Sequence, residues 1–144
     1  MNYGVAKTGV AAASGAAYAT LHTGNSRIQI VQWSVFLTTA VTSSIGLIRA
    51  SNTPVATTSA LGQAFGTDCP ASLTNIDTAW STAPTIGTEY LDRVILPAAV
   101  SAGYVRTWRP DRPLCLGPNS WLVVWNFGGS TGGAPTVQFE WDEG

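Results

Sequence analysis

Two aromatic-rich runs near the C-terminus constrain this chain more than any other feature. Residues 120–127 read Ser-Trp-Leu-Val-Val-Trp-Asn-Phe, and residues 136–141 read Thr-Val-Gln-Phe-Glu-Trp. In an extended strand alternate side chains share a face, so Trp121, Val123 and Trp125 point one way and Leu122 and Val124 the other. Apolar residues on both faces predict a central strand covered on both sides. The second run alternates strictly, with Val137, Phe139 and Trp141 set against Gln138, Glu140 and Asp142. That is the pattern of a half-buried strand. The Gly-Gly-Ser-Thr-Gly-Gly-Ala-Pro segment between them is a loop. The expectation is an antiparallel pair joined by that loop, with the rest of the chain supplying the sheets that cover it.

At 144 residues the chain is long enough for one domain with a real core. Only 10% of its residues are charged, against about 25% in ordinary soluble domains. So sparse a charge points to a surface covered by other protein, in an obligate oligomer or a large assembly. A surface of uncharged Thr, Ser and Asn is the alternative. The net charge of −1 gives no reason to expect a nucleic-acid or anionic-membrane partner. The first seven residues lack the basic start and apolar core of a signal peptide, and no run approaches a membrane-spanning length. Cys69 and Cys115 are too few for a disulfide scaffold or a metal cluster, and are expected as free thiols.

Residues 1–17 are rich in Ala, Gly and Thr and read as an extended N-terminal arm that can lie along a neighbouring subunit. Residues 18–144 then form a single domain. A strand over residues 18–22 is followed by a turn and a long strand over residues 27–38, whose faces read Val31, Trp33, Val35, Leu37 and Ile28, Ile30, Phe36. Residues 45–50 are expected to pair with it as a hairpin. Residues 51–90 lack a pattern and read as an irregular insertion, with a short helix capped by Ser59 as one option over 59–65. Strands resume at 91–96, 104–109 and 114–116. About eight short strands with turn signals between them specify an all-β antiparallel sandwich, jelly-roll-like, or a barrel. Charge is unevenly placed: the first 67 residues hold three cations and no acid. The acidic C-terminal edge (Glu140, Asp142, Glu143) can pair with the arginines at 93, 106, 109 and 112.

No catalytic set stands out. His22 is the sole histidine, which leaves no ordinary zinc site, and no Gly-X-Ser-X-Gly elbow presents a serine. Asp92, Asp111 and Glu140 are ordinary strand carboxylates rather than a glycosidase pair. The diglycines are followed by a strand, not by the helix a phosphate loop needs. The expectation is a protein that is not an enzyme and carries no cofactor or metal. Six tryptophans raise the option of a stacking platform for sugars, with Trp80 and Trp108 the candidates for exposed rings.

The run at 116–126, the Gly-rich turn and the terminal Gln-Phe-Glu-Trp-Asp-Glu carry a resemblance in style. The chain resembles the small all-β virion proteins of tailed bacteriophages, especially capsid decoration (cement) proteins with a jelly-roll-like sandwich. What the resemblance implies is a homotrimer on the capsid exterior, made in the host cytoplasm, that bridges capsomers of the major capsid protein. No residue role transfers with it. By position, the candidate partner contacts are Tyr3, Val5, Lys7 and Val10 in the arm, Trp80 in the insertion, and Arg106, Trp108 and Arg109. The alternatives are a receptor- or carbohydrate-binding sandwich of a phage tail, or a head–tail or tail component.

Overall fold

Twelve strands account for most of the chain: β1 (Asn2–Thr8), β2 (Ala17–His22), β3 (Ile28–Leu37), β4 (Ser43–Ala50), β5 (Val55–Leu61), β6 (Gln63–Ala64), β7 (Asn75–Thr82), β8 (Ile86–Leu96), β9 (Gly103–Thr107), β10 (Leu114–Leu116), β11 (Trp121–Asn126) and β12 (Pro135–Glu143). The computed structural model describes residues 2–9 and 11–143, none of them helical. One sheet runs β10-β3-β12-β1-β6, with β9 sharing the edge of β3 that β10 occupies, and the other runs β5-β7-β2-β11-β4-β8.

The pairings nest. β1 pairs β12, β2 pairs β11, β3 pairs β9 and β10, and β4 pairs β8, all antiparallel. A long antiparallel hairpin rolled up so that consecutive strands fall in opposite sheets gives this order, which is the jelly roll. The frame has the expected eight strand positions, and β5, β6 and β7 are added within the β4–β8 connection.

Three expectations are corrected by this topology. The runs at 120–127 and 136–141 do not pair, because β11 lies between β2 and β4 while β12 lies between β3 and β1. The Gly-rich loop carries the chain across the sandwich, not around a hairpin. For the same reason β3 and β4 are not a hairpin. The insertion is not irregular and has no helix at 59–65: β5 and β7 form an antiparallel ribbon, and Ser59 donates its hydroxyl to Asp77 instead of capping a helix.

The ribbon is fixed at both ends. At its base Asn52 donates to the Ala83 carbonyl and accepts from the Thr85 N–H. At its tip β6 pairs with β1 of the other sheet. Gly62 sits where a side chain would run into the indole of Trp141, so only glycine lets the tip close over that ring.

The core lies between the sheets. Leu21, Ile45, Leu47, Ile76, Leu122 and Val124 face Ile30, Trp33, Val35, Val137, Phe139 and Trp141, each side chain worth about 1.5–3 kcal/mol when fully buried. A register skip opposite Glu140/Trp141 passes over Val31. It turns Ile28 and Ile30 to the same inner side as Trp33, Val35 and Leu37, where unbroken alternation would put them outside. A β-bulge does this by adding one residue to one strand.

Candidate functional site

The expected contact residues divide by position. Tyr3 and Val5 are buried in the core of their own domain. β1 pairs residue by residue with β12 along its whole length, so the segment read as an arm is an inner strand of its sheet. Tyr3 donates its hydroxyl to the Pro70 carbonyl at 2.8 Å, and its ring stacks on Trp141 with centroids 6.4 Å apart. Lys7 is half-buried at the end of β1, and Val10 lies outside the described residues. Trp80 is half-buried, its Nε1 donating to the Thr20 hydroxyl at 3.1 Å.

Arg106, Trp108 and Arg109 do come together on β9 and the turn after it. The Arg106 guanidinium lies 5.5 Å from the Trp108 ring centroid and 3.8 Å from Asp92 of β8. Asp92 also accepts the Tyr104 hydroxyl at 2.8 Å, and burial followed by this bond holds the Tyr104 pKa above its ordinary value. Arg109 pairs with Asp111 at 3.2 Å, with both side chains exposed. These arginines therefore pair with Asp92 and Asp111, not with the C-terminal acids. Such exposed pairs contribute about 0–1 kcal/mol each.

Glu143 turns inward. It accepts from Ser72 Oγ, Leu73 N, Thr74 Oγ1 and Trp141 Nε1, all within 2.9–3.2 Å. Asp77 is also fully buried and accepts the hydroxyls of Thr20 and Ser59. Both carboxylates hold the ribbon to the sandwich. His22 is stacked on Trp121, centroids 4.2 Å apart. Among the described residues no three His, Cys, Asp or Glu converge as a metal site, and Cys69 and Cys115 are free.

The two ends of the sandwich differ. One end collects the connections 9–16, 38–42, 97–102 and 127–134, tied by Leu37 N to Ala102 O, Thr38 N to Ala134 O and Gly132 N to Ala12 O. It is apolar. Ile95 is 67% exposed and Val100 63%, and Val41 is exposed on the 38–42 connection. Phe36 and Val105 are exposed on the adjoining outer face of β3 and β9. Arg93 supplies a cation there, its guanidinium 3.8 Å from the Phe127 centroid and 4.6 Å from that of Tyr90. Sequence reasoning missed this surface. The signal was an uncharged Leu-Pro-Ala-Ala-Val-Ser-Ala stretch at residues 96–102, in a position where connections are normally polar.

The opposite end carries turn 117–120 and the base of the ribbon. There Arg49, Asn52, Asn119, Ser120 and Trp121 surround a polar depression of about 270 Å³. A second hollow, more apolar, of about 330 Å³ and including Thr88, Glu89 and Leu91, shares Arg49 and Ala50 with it.

Comparison with protein-family models, with curated proteins and with solved structures finds no match to this chain.

Proposed function

We propose that this chain is a non-enzymatic virion structural protein, a capsid decoration or cement protein of a tailed bacteriophage. In this reading it works as a homotrimer on the capsid exterior and bridges neighbouring copies of the major capsid protein. The observation that carries the reading is the apolar loop end. Several large apolar side chains stand in solvent there on a chain with few charges, and large apolar side chains exposed at one end of a small domain favour a protein contact. Val41 and Val100 on the loops and Ile95 at the end of β8 serve the capsid contact, and Phe36 and Val105 on the sheet face serve contacts between copies. The nested pairing also supports the reading, since a rolled sandwich leaves its loop ends free to be sculpted without disturbing the core. Binding across capsomers stabilises the shell by mass action, because the bound state is the assembled one. Three linked copies multiply weak contacts into avidity.

The test is the mass of the purified protein in solution, alone and with empty capsids of its source phage. A trimer that co-sediments with capsids and raises their melting temperature is the expected result. A monomer that leaves capsids unbound and unstabilised overturns the reading.

A further inference from the structure

The end of the sandwich opposite the apolar loops has the chemistry of a sugar site, and we infer that it binds a neutral saccharide of about two rings. The inference is independent of the assembly reading, because it uses none of the same residues. Its anchor is Trp121. The strand β11 places this residue between β2 and β4, and His22 of β2 stacks on it at an interplanar angle of 14°. One ring face is thereby covered and the ring orientation fixed. Trp121 lines the depression together with Arg49 and Ala50 of β4.

Polar groups converge on the same hollow and are held in place. Arg49 spends one N–H on the Cys115 carbonyl at 3.1 Å, which positions the guanidinium and leaves its other donors for a ligand. Asn52 is clamped by Ala83 and Thr85. Asn119 stands at a φ of +48°, a conformation asparagine tolerates better than most residues. Its backbone N–H is bonded to the Gly24 carbonyl, and its side chain lines the hollow. An aromatic residue lining the same hollow as fixed amide and guanidinium donors suits a pyranose ring, which has an apolar C–H face and an equatorial belt of hydroxyls.

Size and charge narrow the ligand further. The first hollow, at about 270 Å³, is close to the roughly 300 Å³ at the lower end of small-ligand sites, which suits one ring. The second adjoins it across Arg49 and adds Glu89 as an acceptor for hydroxyl protons. Arg49 therefore stands where the linkage between two rings would pass. The carboxylate of Glu89 and the net charge of −1 disfavour a phosphate-bearing ligand, which an arginine and a tryptophan alone would admit.

The experiment titrates the full chain separately with maltose, lactose, mannobiose, N,N′-diacetylchitobiose and inorganic phosphate. It follows the Trp121 indole and Asn119 amide resonances by nitrogen–proton correlation spectra. At least one disaccharide is expected to shift both resonances saturably, and phosphate neither. Trp121→Ala is expected to weaken binding about tenfold or more, as loss of a stacking face requires. Arg49→Ala, at an exposed position, is expected to weaken binding without loss of fold and serves if Trp121→Ala proves unstable. No shift with any of the four sugars overturns the inference. So does a phosphate-induced shift of the same resonances, or wild-type affinity in both variants. Capsid binding is read separately, so failure here leaves the assembly reading standing, and the reverse.

Discussion

Glu143 shows how one side chain can hold a long connection in place. Its four donors come from residues 72–74 and from Trp141, so the ribbon tip, the last strand and the core ring meet at a single carboxylate. Glu143→Ala leaves those buried donors without an acceptor, and the expected loss is about 3 kcal/mol in urea unfolding. Glu143→Gln, which keeps one acceptor oxygen, should lose less. Tyr18 presents the opposite case. Its buried hydroxyl, beside that of Ser43, makes no hydrogen bond of good geometry among the described residues. Tyr18→Phe removes an unsatisfied group and is expected to raise stability by about 1 kcal/mol; a fall in melting temperature would show that the hydroxyl does bond. Burial also raises the Tyr18 pKa. The unfolded chain therefore loses this proton first, so the contribution of Tyr18 to stability is constant below about pH 10 and declines as pH rises past it. The decline should be shallower in Tyr18→Phe, with Tyr3 and Tyr104, raised likewise by burial, supplying the remainder.

β1 is the element on which a mobile arm and an integral strand make opposite predictions. Val5 faces the core and Ala6 faces solvent. Val5→Asp buries an unpaired carboxylate and should cost about 3 kcal/mol or more, while Ala6→Asp should cost about 1 kcal/mol or less. A free arm would be indifferent to both, so equal melting temperatures for the two variants would sink the integral-strand account. β1 was hard to read in the sequence because Gly4, Ala6 and Thr8 are too small or neutral to mark a face. β5 was hidden in the same way: Val-Ala-Thr-Thr-Ser-Ala-Leu at an edge has no polar–apolar rhythm to detect. β12 was fully legible, since Val137, Phe139 and Trp141 do point inward. So were both faces of β11, where Val123 on the outer side is as fully buried as Leu122 and Val124. What the pattern left open is partnership. Alternation assigns a residue to a face, but in a rolled hairpin each strand's sequence neighbour lies in the other sheet, and the preference for adjacent pairing misleads. Of the candidate contacts, those chosen for aromatic or arginine chemistry on β9 lie together. The apolar loop residues and the Trp121 hollow were invisible, since each gathers side chains from connections far apart in the chain.

At the scale of the whole molecule, the rolled topology sends alternate connections to opposite ends, so one small domain has two surfaces that can evolve apart. One is apolar and carries Val41, Ile95 and Val100; the other is polar and built around Arg49 and Trp121. None of the apolar end residues lies within the core between the sheets, so removing their hydrophobicity should spare the fold. The double variant Ile95→Asp/Val100→Asp is expected to melt within about 0.5 kcal/mol of the wild type, as surface changes do. It should also lose attachment to capsids, because two desolvated carboxylates at a contact are costly and an apolar anchor pair is gone. Sedimentation with empty capsids and thermal melting of the free protein read the two effects apart. Undiminished capsid binding by a well-folded double variant would remove the apolar end from the contact, and with it the observation on which the decoration reading stands.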